Sequence, residues 1–369
     1  MLEYVFIAFL VIFCIQFFYH IVLFGKFSFS KKSTVKNTAT PKISVIVCAK
    51  NEAENLLKNL PFILGQKYPN FEVVLINDCS YDSTLEIMEK FKAESSVPVK
   101  IVDVAPNEQF WGSKKYALTL GIKAASNEHL ILTDADCIPN SEHWIAEVIS
   151  NFSNKHQLVL GYGGYHKIKK SFLNKLIRFE TLLTAIQYFS FLKIGMPYMG
   201  VGRNIAYTKS LFFSANGFVN HMKIKSGDDD LFVNQIANKN NTAAVYSLES
   251  HTLSSPKTTF KDWILQKRRH ISTATHYKFN HKFLLGLFFC SQLLFFVIAT
   301  ILLAFLYKWK IVCGIILFRT IIWYVLIYNT SKKLNEKDLI LFAPFFEIFL
   351  ILLQLIIFIK NLISKPKSW

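Results

Sequence analysis

The sequence predicts an α/β fold, a doubly wound and mostly parallel sheet, with membrane-spanning helices at both ends. Three observations carry this prediction. Short β-branched runs alternate with helical patterns through the middle of the chain, which is the signature of strand–helix–strand units. Acidic residues close two of those runs, at Asp78 and at Asp134 and Asp136. Nearly uniform apolar runs occupy the two ends.

Composition sets the bounds. The chain has 369 residues, room for one sizeable soluble domain plus membrane segments. Hydrophobic residues make up 52%, with 35 Phe, and they concentrate toward the ends. The formal net charge of +17 suits contact with anionic lipid, with phosphates, or with both. No nucleic-acid recognition motif is present, and the lysines beside the apolar runs favour lipid. The six cysteines (Cys14, Cys48, Cys79, Cys137, Cys290, Cys313) show no C-x-x-C spacing, so they read as free thiols in a reducing compartment, without a zinc site.

Residues 2–24 are broken only by Glu3, Gln16 and His20 and are long enough to span a bilayer. They lack a basic start and a small-residue cleavage site, so the segment reads as an anchor and not a removed signal. Lys26, Lys31, Lys32, Lys36 and Lys42 follow, and the positive-inside rule makes what comes next cytoplasmic. The organisation expected is an anchor over 1–25, a linker over 26–42, a soluble domain over 43–255, a basic interfacial segment over 256–282 and a membrane region over 283–369.

Within the soluble domain, 43–49 is a buried parallel strand and a helical pattern follows through Leu56, Leu57 and Leu60. A second strand, 71–76, runs into Asn77-Asp78, and Asp82 or Ser83 caps a helix over 84–92. Strands at 99–102 and 130–132 flank a helix over 114–125. The last of these strands ends in Asp134-Ala135-Asp136. Side chains at i and i+2 of an extended chain share a side, so both carboxylates can converge beyond the strand's carboxyl end, where open α/β sheets bind ligands. Two converging carboxylates suit a hard divalent cation, Mg²⁺ or Mn²⁺. Asp78 reads either as a nucleoside contact or as an Asx-turn or helix cap.

A helix near 141–152 and a strand over 158–162 come next. Residues 171–194 mix apolar side chains with Lys175, Arg178 and Lys193, which fits an interfacial amphipathic helix or a core-facing one. The glycine-punctuated loop 195–204 either approaches a substrate or simply turns. Asp228-Asp229-Asp230 precede a helical pattern whose positive end favours acids, but that explains one acid better than three. Mutual repulsion and burial would raise one carboxyl's pKa, as a general base requires. Residues 257–282 are basic and aromatic, and a charge run of this kind is usually a solvated face. Apolar runs at 283–307 and 339–363 are long enough to span; 311–328 is shorter and holds Arg319, which must face protein, water or a headgroup. Two or three spans are therefore expected, since Pro344 permits a bent or re-entrant last segment. His251 reads as structural.

Six motifs in order resemble a family 2 glycosyltransferase with a GT-A fold, over residues 43–275. They are Ser44-Val45-Ile46-Val47-Cys48-Ala49-Lys50-Asn51-Glu52, Asn77-Asp78-Cys79-Ser80-Tyr81-Asp82-Ser83-Thr84, Lys114-Lys115-Tyr116-Ala117-Leu118, Asp134-Ala135-Asp136, Gly227-Asp228-Asp229 and Gln266-Lys267-Arg268-Arg269-His270. The resemblance implies inverting sugar transfer from a UDP- or GDP-sugar. It implies that Glu52 and Asp78 contact the nucleoside, that Lys114 lies near the donor phosphates, and that Asp134 and Asp136 border the diphosphate, Asp136 through the metal. Asp229 matches the second acid of an E-D pair and would be the base. Gln266 and Arg269 match a Q-x-x-R-W motif that holds the leaving nucleotide. The chain departs from the pattern at Asn77, where many members carry Asp, at Ser113, where Gly is common, and at His270, which replaces the Trp. In processive synthases that Trp positions the acceptor. The expectation is an inner-membrane enzyme with a lipid or lipid-linked acceptor; a processive synthase and a silent nucleotide-sugar-binding scaffold are the alternatives.

Overall fold

A computed structural model of the chain describes residues 1–31, 39–105, 114–224 and 226–364. Ser113 and the lysines at 32, 36, 365 and 367 lie outside the described residues. The elements, in chain order, begin with α1 (Leu2–Ser28, with wide π turns over Phe18–Phe24). There follow β1 (Ile43–Ala49), α2 (Ala53–Leu64), β2 (Phe71–Asn77), α3 (Thr84–Glu94), β3 (Val99–Asp103), α4 (Lys114–Ala124), β4 (His129–Asp134), β5 (Cys137–Pro139), α5 (Trp144–Ile149), β6 (Leu158–Leu160), β7 (Gly163–Tyr165) and α6 (Phe172–Lys193). The remainder are β8 (Ile205–Thr208), α7 (Lys209–Ser214), α8 (Asp230–Ile236), β9 (Thr242–Ala244), β10 (Thr252–Ser254), α9 (Phe260–Thr273), α10 (Phe279–Ala304), α11 (Trp309–Lys333) and α12 (Ala343–Ile363). They sort into two compact units, an α/β unit (39–170 and 195–258) and a helical unit (1–31, 171–194 and from 259 onward).

The α/β unit is built on a seven-stranded mixed sheet of order β3-β2-β1-β4-β8-β6-β9. β1 pairs in parallel with β2 and with β4, and β8 runs antiparallel to β4 and to β6. A second sheet has the order β5-β10-β7. All seven residues of β1 are buried, as a parallel strand covered on both faces requires. Leu56, Leu60 and Ile63 of α2 pack into the core beneath it. α4 lies close over β2 because residue 121 is glycine: a Cβ there would stand 2.1 Å from a side-chain carbon of Ile76. In this register Cys48 sits opposite Asp134 and Ala49 opposite Asn77. The carboxyl ends of β2, β1 and β4 therefore finish side by side.

The helical unit holds four helices long and apolar enough to cross a membrane: Leu2–Ser28, Phe279–Ala304, Trp309–Lys333 and Lys337–Ile363. Residues 26–28, expected in the linker, extend the first of them. The third, expected to be short, has 25 residues. Pro344 stands in the first turn of α12, where a missing N–H is tolerated. Arg319 faces protein. Its guanidinium is 2% exposed and binds Glu347 of α12, with Nη1 donating to Oε2 at 2.7 Å. Nη2 and Nε donate to Gln16 Oε1 of α1 at 3.0 and 3.2 Å. Gln292 of α10 donates to Glu347 at 3.2 Å, and Gln16 donates to Ser291 at 3.0 Å. One polar knot thus ties all four spans together.

α6 belongs to the helical unit, so the soluble domain expected over 43–255 is interrupted by 171–194. It packs as a core-facing helix and does not lie free at an interface. Phe189 stacks on Phe27 at 4.8 Å, and Arg178 donates to Glu336 at 2.9 Å and to Asp338 at 2.8 Å. In the basic run on α9, Lys261 and His270 are exposed, but the residues from Gln266 to Arg269 are half-buried. Lys267 forms an ion pair with Glu180, and Arg268 donates to Asn361 at 2.8 Å.

Removing one member of a buried ion pair strands the other charge, at a cost of roughly 3–5 kcal/mol. Glu347→Leu and Arg319→Leu are each expected to destabilise the detergent-purified protein by that much and so to lower its thermal midpoint. The double variant is expected to melt above both singles, and strict additivity in such a cycle would show that the pair does not couple.

Candidate active site

Parallel register brings the predicted acids to one edge of the sheet. Asp78 follows β2, its N–H donating to Ala49 O at 2.9 Å. Asp134 is the last residue of β4. Asp136 lies just beyond, held because Asn59 of α2 donates to the intervening Ala135 carbonyl at 2.9 Å. Glu52 stands at the start of α2, where Asn55 donates to its carboxylate at 2.5 Å.

Lys114, the first residue of α4, completes the cluster. Its ammonium is 2.6 Å from Asp134 and 3.2 Å from Asp228. Those two carboxylates hold the lysine well above its usual range despite burial. One cation thereby joins the D-x-D turn to the acidic run that precedes α8.

Within that run Gly227 adopts φ +89°, a conformation that side chains rarely adopt. The turn presents Asp229 to the backbone. Its carboxylate accepts from the N–H of Gly202 at 2.6 Å and from that of Asp230 at 2.7 Å. Burial, then the charges of Asp228 and Asp230, push its carboxyl up to about 7, against the pull of those two N–H groups. The structure therefore gives Asp229 the property expected of a base working near neutrality.

Three acids at the sheet edge, Asp78, Asp136 and Glu52, shift the same way. Burial pushes Asp78 up against the pull of Lys50 and Lys114. Burial and Asp134 push Asp136 up against Arg203, and burial outweighs Asn55 at Glu52. Oxygens of Asp134 and Asp136 and the sulfur of Cys137 lie within 4.8 Å of one another. Burial and the neighbouring acids hold the Cys137 thiol well above its usual range, and a soft sulfur is a poor partner for a hard cation. The donor set that remains is two crowded carboxylates, which fits a hard divalent cation.

Other predicted residues have structural partners. Asn77 donates to Asp103 at 2.7 Å and accepts from the N–H of Ser80 at 3.3 Å, which ties it to the turn. Asp82 accepts from the N–H of Thr84 at 3.1 Å and from that of Ala53 at 3.3 Å, serving the starts of both α3 and α2. His251 is buried edge-on to Tyr162 at 4.8 Å. Gln266 and Arg269 lie on α9 of the helical unit. Burial lowers the pKa of the Arg269 guanidinium.

Two residues escaped the sequence reading. Arg203, in the loop before β8, donates to Gly164 O at 3.0 Å and Ser254 Oγ at 2.7 Å, and stands 4.2 Å from the Tyr165 ring. It faces Asp136 and pulls its pKa down. Lys115 is 1% exposed, and its ammonium reaches three backbone carbonyls. The glycine-punctuated loop drew attention to the neighbourhood of Arg203, but nothing in the sequence distinguished either cation from a surface charge.

Comparison with known proteins agrees with this geometry. Residues 44–219 match the family described as Glycosyl transferase family 2. Poly-beta-1,6-N-acetyl-D-glucosamine synthase of Staphylococcus epidermidis is 38% identical over 96 residues, 26% of this chain and 22% of that one. The 4,4'-diaponeurosporenoate glycosyltransferase of Staphylococcus haemolyticus is 31% identical over 165 residues, 44% of this chain and 42% of that one. The chain thus spans less than half the length of these curated relatives. A mannosyltransferase of Pyrobaculum calidifontis, solved with GDP-Man and Mn²⁺, aligns over 94% of this chain and 99% of its own at a TM-score of 0.60 and 18% identity, which establishes a shared fold. The α/β unit is therefore a family 2 glycosyltransferase domain of GT-A fold, in a chain that also carries four apolar helices of membrane-spanning length.

Proposed function

We propose that the protein transfers a sugar from a nucleotide-diphospho-sugar to a lipid or lipid-linked acceptor at the cytoplasmic face of the cell membrane. The transfer is a direct displacement with inversion. The observation that carries this reading is the Lys114 bridge, which couples an acidic sheet edge suited to a metal and diphosphate with a carboxylate poised near neutrality. The soluble domain expected over 43–255 is the catalytic part, made discontinuous by α6.

Glu52 and Asp78 flank the nucleoside in this scheme. Asp136, with Asp134, would hold Mg²⁺ or Mn²⁺, which would supply positive charge against the leaving diphosphate, as cationic groups near developing phosphate charge do. Lys114 supplies that second positive charge. Asp229 takes the proton from the acceptor hydroxyl on the face opposite the leaving group, and the Gly202 and Asp230 N–H groups fix its orientation. Gln266 and Arg269 hold the departing nucleotide. No covalent enzyme intermediate is required. A UDP- or GDP-sugar is the donor, and four spans provide the route to a membrane acceptor.

The processive reading keeps one specific support, the 38% identity to a polysaccharide synthase over 96 residues. His270 in place of the aromatic acceptor platform weighs against it.

Three outcomes test the reading. In membranes supplied with UDP- and GDP-sugars and Mg²⁺ or Mn²⁺, label from one donor is expected in the organic extract, and Asp136→Ala is expected to abolish it. Label in insoluble high-mass material would instead establish the synthase. Asp229→Asn is expected to cut turnover by about 10²–10⁴-fold while donor still binds; full turnover would remove Asp229 from the mechanism. The pH profile follows from the same group. A base must be deprotonated, and its pKa is raised, so kcat is expected to fall as pH drops through about 7 and to level off above it. A rate that stays flat from pH 8 to pH 5 would contradict the assignment.

A further inference from the structure

Lys115 follows Lys114 on α4, yet the two side chains part company. Lys115 is buried, and its Nζ donates to the carbonyls of His221, Ile224 and Ser226, each at 2.8 Å. An ammonium has three N–H donors and no acceptor, so each donor here has its own carbonyl. Burying a charge is costly unless it is paired and hydrogen-bonded. A segment needing only to turn would not require a lysine reaching in from a helix more than a hundred residues away in sequence.

The three carbonyls belong to the stretch leading directly into Gly227 and the acidic run. Lys114 binds Asp228 on one side of Gly227, and Lys115 binds the Ser226 carbonyl on the other. Adjacent residues of one helix therefore grip the chain on both sides of its left-handed turn, and Asp229 is the next residue along. The ionisable groups facing Lys115 are Asp228, Asp229 and Asp230 of the run, and His221 of the clasped loop.

We infer that Lys115 is a positioning residue for the reaction, clasping the carbonyls of His221, Ile224 and Ser226 so that Asp229 is held at its working place and supplying the buried positive charge that three consecutive carboxylates face. The inference rests on the reading of Asp229 as base. Lys114 touches the candidate donor site itself; Lys115 acts through the loop.

The test uses the full-length protein in membranes, with the donor that supports turnover, and two variants. Lys115→Gln keeps two N–H donors and removes the charge. Its kcat is expected to fall about tenfold to a hundredfold, the scale of a small misplacement of a reacting group, with donor KM within about threefold of the parent. Its acid limb is expected to move to higher pH, because the positive charge facing the Asp229 anion is gone. Lys115→Arg keeps the charge but not the compact ammonium. Its acid limb is expected at the parent's position with an intermediate kcat. Parent-like kcat and acid limb in Lys115→Gln would overturn the inference, as would equal losses in both variants with no movement of the limb, the pattern of a purely structural lysine. Should Lys115→Gln not accumulate as folded protein, Lys115→Arg decides: a lowered kcat at unchanged KM supports the clasp, and a parent kcat overturns it. Asp229→Asn run in parallel separates the two readings. Full turnover there sinks the base and the clasp together, whereas an inactive Asp229→Asn beside a parent-like Lys115→Gln sinks the clasp alone.

Discussion

A single ammonium, that of Lys114, lies 2.6 Å from Asp134 and 3.2 Å from Asp228. Those carboxylates are almost a hundred residues apart, one at the end of a central strand and the other in a turn before a short helix. Without a cation between them they would repel each other across the sheet edge. With it, the strand-end acids and the acidic run become one site. Everything that fixes Lys114 then fixes the site: the parallel register of β1, β2 and β4, the close seat of α4 over Ile76 that glycine at 121 permits, and the left-handed turn at Gly227. The fold is in this sense a device for holding one lysine between two carboxylates.

The helical unit uses the same physics in a drier setting. Arg319 and Glu347 are 2% and 3% exposed, and Gln16, Gln292 and Ser291 meet their remaining donors and acceptors. A charge inside an apolar bundle is costly unless every polar atom around it finds a partner. That requirement makes the knot selective, because an arrangement of the spans that separated these side chains would strand buried polar groups. Arg178 with Glu336 and Asp338 repeats the pattern where α6 enters the unit. Apolar helices alone associate without much preference for rotation or register, whereas these ionic pairs set both.

Period and punctuation made much of the architecture legible. The β-branched run at 43–49 and the acid-terminated run before Asp134 became parallel neighbours, and the apolar terminal runs became long helices. Local pattern said less where long-range burial decides. The charged stretch 266–270 looked like a solvated face because its neighbours in sequence are polar, but Lys267 and Arg268 meet Glu180 and Asn361, which the sequence gives no means of pairing with them. Residues 171–194 read equally as interfacial or core-facing, and only the burial of Phe179, Leu182 and Phe189 separates the two. The acids of the candidate site were visible because carboxylates at strand ends have few other uses. Its buried cations were not, because a lysine or arginine in sequence carries no mark of whether its head group meets water or a carbonyl.

That asymmetry bears on the chemistry. The acids brought to this region are Glu52, Asp78, Asp134, Asp136 and the run 228–230, and the cations facing them include Lys114, Lys115 and Arg203. Four of the acids, Glu52, Asp78, Asp136 and Asp229, are shifted upward, each with burial as the first cause. Positive charge is thus already scarce. Lys114 is engaged by two carboxylates, and Arg203 is tied to Gly164 and Ser254. A nucleotide-sugar would bring a diphosphate, two more negative charges, to the same edge. Coulomb repulsion at a few ångströms in a partly buried site amounts to several kcal/mol per pair, which the resident cations cannot offset while remaining on their present partners. A dication held by Asp134 and Asp136 would supply positive charge where those two carboxylates crowd each other, while Asp229, whose raised carboxyl belongs to the acidic run, stands outside that pair. On the proposed reading metal and donor would bind as a unit, and the proposed base would be set apart from them by the turn at Gly227.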